Sequence, residues 1–160
     1  MDSYFLGLDC SSKGVHGVIL NNEGEYVEKF KWMSDLSDFE ARFTAFLHNF
    51  LEDLGIIKER YSNLRVAIEA PIYIQNPKTT MQIAAVVYIA RFICFLQDLE
   101  CMPIQNKSWK KYVLERGNVS KQDIFKFANI LWKDSFTEQD HADAACIALW
   151  GRFYYLGEDL

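Results

Sequence analysis

Little in this sequence marks a secreted, modular or membrane-bound protein. Its four cysteines, Cys10, Cys94, Cys101 and Cys146, form no CxxC pair and no zinc-ligand spacing. That excludes a cysteine-based zinc module and leaves reduced core fillers. Only three prolines and no low-complexity tract occur, so nothing reads as a linker, and no internal repeat of useful length marks a solenoid. The start, MDSYFLG, has neither a basic n-region nor a cleavable apolar stretch, and the expected setting is cytoplasmic. The longest apolar segment, Met81 to Leu96, is interrupted by Gln82 and Arg91 and falls short of the about 20 residues a comfortable span requires. It reads as a core or interface helix, with no membrane partner. Positive charge is also scarce: a net charge of −5 argues against a general nucleic-acid coat protein, whose affinity comes from clustered Lys and Arg.

What is present suits one folded domain over residues 1–160, with half the residues apolar, 15% aromatic and 24% charged. Three strand-like runs come first, Tyr4 to Cys10, Val15 to Asn21 and Glu25 to Trp32, and Asn22-Glu23-Gly24 is a turn signal between the last two. Short turns imply an antiparallel meander. Apolar residues then recur at helical spacing from Leu36 to Leu54, with Gly55 read as the stop. The run LRVAIEA, Leu64 to Ala70, is a buried strand ended by Pro71. A helix from about Lys78 to Leu99 leads to a small strand at Cys101 to Gln105, and helices are expected at 107–115, 120–132 and 139–156, with Ser120 and Asp123 as a capping pair. This order predicts an α/β fold with a mixed five-stranded sheet, an antiparallel meander plus parallel strands, flanked by helices. A right-handed crossover places Leu64 to Ala70 parallel to the first strand.

The acids attract attention within that frame. Asp9 closes an apolar strand, FLGLD, and Glu69 closes another, RVAIE. Alternation puts Gly7 with Asp9 on one face and Arg65, Ala67 and Glu69 on one face. Parallel neighbours about 4.8 Å apart bring the two acids face to face. In EQDHADAACIALW, Asp140 and Asp143 are three apart at the start of an Ala-rich helix, about 60° apart around its axis, so both project into one cleft. Singly, each acid has an ordinary role as a turn, strand-end or helix-start residue. Jointly, acids in buried runs without a counter-charge point to divalent cations, and oxygen ligands suit Mg²⁺ or Mn²⁺. His141, between the aspartates, points away from them and reads as a surface or supporting residue, and His16 as a satisfied strand histidine. Ser11 and Ser12 lack the histidine partner a serine nucleophile needs. From Lys107 to Lys126 the local balance is +4, a basic stretch within an acidic chain.

The order of a strand-borne Asp, an AIE strand and D-x-x-D-A-A on a terminal helix, together with WKKYVLERGNVSKQDI between the last strand and the acid pair, resembles the RuvC-type Holliday junction resolvases of the RNase H-like superfamily. The resemblance runs from about Tyr4 to Gly151. It implies an RNase H-like fold and a Mg²⁺-dependent endonuclease that nicks four-way junctions in symmetric pairs, leaving 5′-phosphate ends. Asp9, Glu69, Asp140 and Asp143 would hold two Mg²⁺ ions, with Mn²⁺ as a substitute. Lys121 would lie near the scissile phosphate, and Lys107, Lys110 and Lys111 would join it as DNA contacts. Tyr73, shortly after the second acid, stands where the family places an aromatic wedge. Cys10-Ser11 stands where bacterial members carry Pro-Gly, and Glu115 stands at a family glycine; small phage-encoded members vary in this way, so a phage origin is an expectation. Paired cuts imply a homodimer, for which the 78–99 helix, apolar around much of its circumference, offers a face. The competing readings are a nuclease of the same superfamily acting on flaps, forks or RNA/DNA hybrids, a non-catalytic DNA-binding module, and an actin-like ATP-binding domain. The last is disfavoured by length and by the lack of a later glycine-rich loop.

Overall fold

The computed structural model describes residues 2–158. Three strands open the chain, β1 (Tyr4–Ser11), β2 (Gly14–Leu20) and β3 (Tyr26–Met33), and they form the antiparallel meander. In it Asp9 lies opposite His16, and His16 lies opposite Lys31. After helix α1 (Phe39–Arg60), strand β4 (Leu64–Glu69) returns parallel to β1, pairing Leu6 with Val66 and Leu8 with Ile68. Helix α2 (Pro77–Leu96) then leads to β5 (Cys101–Ile104), parallel to β4. The five-stranded sheet has the order β3-β2-β1-β4-β5. Helices α3 (Asn106–Leu114), α4 (Lys121–Leu131) and α5 (Gln139–Leu156) complete the chain. The mixed sheet expected from the sequence is the one observed.

Strand alternation builds two cores. Leu6, Leu8, Val66 and Ile68 face α1 and α2, where they meet Phe50, Leu54, Val87 and Ala90. Val18, Leu20 and Ala67 face the other way, toward Ala144, Ala145 and Ala148 of α5 and Trp109, Ile124 and Ala128 of α3 and α4. Burial pushes the thiols of Cys10 and Cys146 up and so keeps them protonated and unreactive. All four cysteines are free.

Both ends of α1 differ from expectation, and α2 ends at Leu96 rather than Leu99. Helix α1 starts at Phe39, where Asp38 accepts a hydrogen bond from the Ala41 N–H at 3.0 Å, and Leu36 lies exposed before it. It also runs through Gly55 to Arg60. A glycine inside a helix costs about 1 kcal/mol, whereas burying one large aliphatic side chain contributes about 1.5–3 kcal/mol. Ile57 continues the buried stripe of Phe46, Phe50 and Leu54, so packing outweighs the glycine. The capping pair at α4 is present as expected: Ser120 Oγ accepts from Asp123 N–H and Asp123 Oδ2 accepts from Ser120 N–H, each at 3.1 Å. Glu115 ends α3 at φ 62°, a left-handed conformation that favours glycine.

Among the described residues α2 is the one helix long and apolar enough to cross a membrane by length and composition. Val86, Val87, Ala90, Ile93 and Cys94 are buried in the core, so one face packs on the sheet. The opposite face exposes Met81, Tyr88, Phe92 and Phe95, the last at 72%.

Helix α5 lies unusually close to the sheet. A Cβ on Gly7 would run into the backbone of Ala144 and Ala148, and a Cβ on Gly151 would fall 2.8 Å from the Ala67 methyl. Small residues on both sides let helix and strand backbones touch, which sets the height of the α5 N-terminus above the end of β1. Gly7→Ala is therefore expected to cost about 3 kcal/mol or more, above the usual range for overpacking because the obstacle is backbone. Chemical denaturation of the two proteins, compared by midpoint at equal slope, measures it.

Candidate active site

Asp9 stands near the end of β1 and Glu69 ends β4. Both emerge on the α5 face, because Leu8 and Ile68 take the other. The first turns of α5 add Asp140 and Asp143. One carboxylate oxygen from each of Asp9, Asp140 and Asp143 lies within 4.8 Å of the others. Glu69 stands beside this trio and is held differently. Its Oε2 accepts hydrogen bonds from Trp109 Nε1 at 2.6 Å and Asn106 Nδ2 at 3.0 Å. Helix α3 thus fixes one oxygen of Glu69 and leaves Oε1 unbonded among the described residues. Gln139 Nε2 donates to Asp143 Oδ1 at 3.0 Å in the same way.

Among the described residues no Lys or Arg pairs with these four carboxylates; the nearest basic group is His16, whose Nδ1 is 3.8 Å from Asp140 Oδ2. The cost appears as displaced proton affinity. Burial, then the charges of Glu69, Asp143 and Asp140, hold the Asp9 carboxyl well above the usual carboxylate range, and the positive charge of Lys121 pulls it the other way. Asp143 is pushed up to about 6, by burial first. The Gln139 hydrogen bond opposes that rise, Glu69 and Asp140 add to it, and Lys121 again opposes it. These oxygens therefore form a cluster whose charge the protein itself does not neutralise. Oxygen-only donors, uncompensated and partly buried, fit a hard divalent cation.

Lys121, the first residue of α4, is exposed and its charge reaches both Asp9 and Asp143. Lys107 and Lys111 are exposed on α3, and Lys110 lies with its Nζ 5.6 Å from the Trp109 ring centroid. The helix that pins Glu69 thus also carries these lysines. Tyr73 is 78% exposed in the connection between β4 and α2, so it is no core residue. Of the surface or supporting role expected of it, His141 does not take the surface alternative. It is 5% exposed, because the first turn of α5 packs on the meander and its Nε2 bonds the Phe30 carbonyl at 2.9 Å. His16 is buried too and bonds Glu138 at 2.9 Å. Asn106, Trp109 and Gln139 were not singled out from the sequence. Trp109 lies inside a basic run, and its polar N–H has a partner 40 residues away that only folding reveals.

No protein-family model matches the chain. Over 105 residues it is 28% identical to the crossover junction endodeoxyribonuclease RuvC of Brachyspira hyodysenteriae, covering 66% of this chain and 64% of that one. Over 85 residues it is 33% identical to the RuvC of Salinibacter ruber, covering 52% and 48%. The matches thus span less than two thirds of either relative. In three dimensions the chain superposes on Thermus thermophilus RuvC in complex with a Holliday junction substrate with a TM-score of 0.78 at 14% identity, over 97% of this chain and 96% of that one. A second Thermus thermophilus RuvC structure gives 0.72 at 15% identity, over 98% and 97%. The RuvC, RNase H-like fold expected from the sequence resemblance is present.

The raised carboxyls carry a testable sign. A carboxyl whose folded value is raised favours folding below its ordinary value of 3.8, and that contribution is lost as pH rises through about 6. Without metal, Asp143→Asn is expected to be more stable than the wild type at neutral pH, by at most about 3 kcal/mol. The gap should close as pH falls toward about 4 and shrink when Mg²⁺ is added. Melting temperatures of both proteins across that range, in chelator and in Mg²⁺, measure it.

Proposed function

We propose that this chain, which has the RuvC fold and resembles RuvC in part of its sequence, is a RuvC-type resolvase: a structure-selective endonuclease that opens four-way DNA junctions by paired symmetric nicks. The observation that carries this reading is the convergence of Asp9, Asp140 and Asp143 within 4.8 Å, with Glu69 held beside them and Lys121 at the rim.

Asp9, Glu69, Asp140 and Asp143 would hold the metal, Mg²⁺ with Mn²⁺ as a substitute, as two ions. Bound there, such cations supply Lewis-acid activation of a water and neutralise charge on the scissile phosphate. The protein's own groups do the rest. Trp109 and Asn106 fix Glu69 Oε2, so its other oxygen is offered in one orientation, and Gln139 does the same for Asp143. Prepaid orientation of this kind is worth several kcal/mol in a cleavage site. Lys121 presents a charge-assisted donor to a non-bridging phosphate oxygen as negative charge builds there. The oxygen of water bonds to phosphorus, the bond from phosphorus to the 3′ oxygen breaks, and that oxygen leaves as a hydroxyl after taking a proton. The 5′ side keeps the phosphate.

Lys107, Lys110 and Lys111 extend the basic surface along α3, where they would contact the phosphates of the junction arms. Tyr73, exposed on the connection after the Glu69 strand, is suited to stacking on an unpaired base at the branch point. The chain acts as one nuclease domain in the cytoplasm, where its DNA lies. Two symmetric cuts call for two copies related by a two-fold axis. The uncovered face of α2, with Met81, Tyr88, Phe92 and Phe95 exposed, is the surface we assign to a second copy, since a contiguous apolar stripe of this kind seeks cover.

Three outcomes are expected. On an end-labelled four-way junction with Mg²⁺ the protein produces paired symmetric nicks, and neither a simple flap nor an RNA/DNA hybrid is cut comparably. Asp9→Asn abolishes cutting in Mg²⁺ and Mn²⁺ while a mobility shift still shows junction binding. Lys121→Ala lowers the single-turnover rate about 100-fold or more, in line with the loss of one charge-stabilising donor. Separately, Phe92→Glu combined with Phe95→Glu converts the dimer to monomer in sedimentation without unfolding it.

A further inference from the structure

The α5 N-terminus and the meander enclose a second group of ligating atoms that the nuclease reading leaves unused. His16 Nε2 on β2 lies 2.9 Å from Oε2 of Glu138, the residue just before α5. His141 Nδ1 lies 3.7 Å from the same oxygen. One ligating atom from each of the three residues falls within 4.8 Å of the others. Both histidines are buried, at 3% and 5% exposure, and their rings meet edge to face with centroids 4.7 Å apart.

The proton assignment exposes a gap in this group. His141 Nε2 is 2.9 Å from the Phe30 carbonyl oxygen, which only accepts, so Nε2 carries the proton and Nδ1 presents a lone pair. That Nδ1 is buried and has no hydrogen-bond partner. It faces Glu138 Oε2, which is also an acceptor. A buried lone pair facing a carboxylate oxygen is costly, and a cation between them removes the cost.

We propose that His16 Nε2, His141 Nδ1 and Glu138 Oε2 form a binding site for a transition-metal ion of the Zn²⁺ class, separate from the oxygen-only cluster. With metal–ligand bonds of about 2.0–2.2 Å, neighbouring ligand atoms in a tetrahedral site lie about 3.3–3.6 Å apart. The observed 2.9 and 3.7 Å bracket that spacing. Two imidazoles and one carboxylate select Zn²⁺, Co²⁺ or Ni²⁺ over Mg²⁺, and a water would take the fourth position. The surroundings are those that orient ligands in zinc sites. His141 Nε2 is fixed by Phe30, Glu138 Oε1 is held by Lys31 at 2.8 Å, and His16 Nδ1 faces Asp140 Oδ2 at 3.8 Å. Lys31 opposes the ion's charge, but its ammonium is half exposed on a flexible stem. The His16 contact gives the site a consequence: an ion on Nε2 turns a protonated Nδ1 toward Asp140, tying one acid of the neighbouring cluster to the meander. The ion would thereby staple β2 to the start of α5.

Metal-free full-length protein is titrated with Co²⁺ in the presence of excess Mg²⁺, and visible absorption is recorded. The expected result is one equivalent of Co²⁺ giving tetrahedral d–d bands that Zn²⁺ abolishes by displacement. The bands persist in Asp9→Asn and Asp143→Asn and vanish in Glu138→Gln and His16→Gln. Zn²⁺ raises the melting temperature of the wild type and not of Glu138→Gln; the partly exposed Glu138 side chain makes this variant tolerable to the fold, which circular dichroism checks, with His16→Gln as the second case. Absence of tetrahedral bands at stoichiometric Co²⁺ overturns the proposal, as a bridging water alone would give. So does loss of the bands in Asp9→Asn, which would assign the ion to the acidic cluster instead. None of these readouts depends on DNA cleavage, so they stand apart from the nuclease reading.

Discussion

The contact of α5 with Gly7 holds the rest of the molecule's chemistry in place. Ala144 and Ala148 lie so near β1 that no side chain fits between them, and Gly151 repeats the close approach at Ala67. With helix and strand backbones in touch, Asp140 and Asp143 arrive at the height of Asp9 rather than a side chain's length above it. A larger residue on either surface would lift the helix and separate the oxygens. The alanines that look unremarkable as core packing are therefore what makes a shared acidic pocket possible.

That pocket is unfavourable in the bare protein. Burial and mutual repulsion raise the carboxyls of Asp9 and Asp143, and no ammonium or guanidinium among the described residues pairs with them. Hydrogen bonds from Trp109, Asn106 and Gln139 fix oxygens without neutralising charge. Packing elsewhere offsets this cost: the sheet is sandwiched between two apolar layers, so a locally unstable arrangement survives on the stability of the whole. Strain stored in this way is common where chemistry requires groups that would not gather on their own.

The meander contributes more than scaffold. Because His16 is paired with Asp9 on one side and Lys31 on the other, β2 sets a buried histidine beside the acids, and the turn into α5 answers it with Glu138 and His141. Two donor sets of different hardness, one all oxygen and one largely nitrogen, thus share a border at Asp140. The common border follows from strand register, since shifting β2 by one residue would turn His16 to the opposite face.

Much was legible in the chain alone because periodicity is local. Alternation in FLGLD and LRVAIE placed Asp9 and Glu69 on one face, and the Ala-rich D-x-x-D helix put two acids on another surface that had to meet it. Gly55 misled as a helix stop because the value of burying Ile57 depends on a core that the local pattern does not display. For His141 the helical offset left a surface or a supporting role open, and only the packing of the meander against α5, which buries it, rules out the first. The partners of Glu69 lie 37 and 40 positions away, and His16 lies 122 and 125 positions from Glu138 and His141. Sequence determined which residues carry charge, which faces are apolar and which elements form, since these follow from spacing within a few residues. Only the tertiary structure decided which oxygens and nitrogens stand within bonding reach, because that depends on backbone approach and strand register, which no short-range pattern encodes.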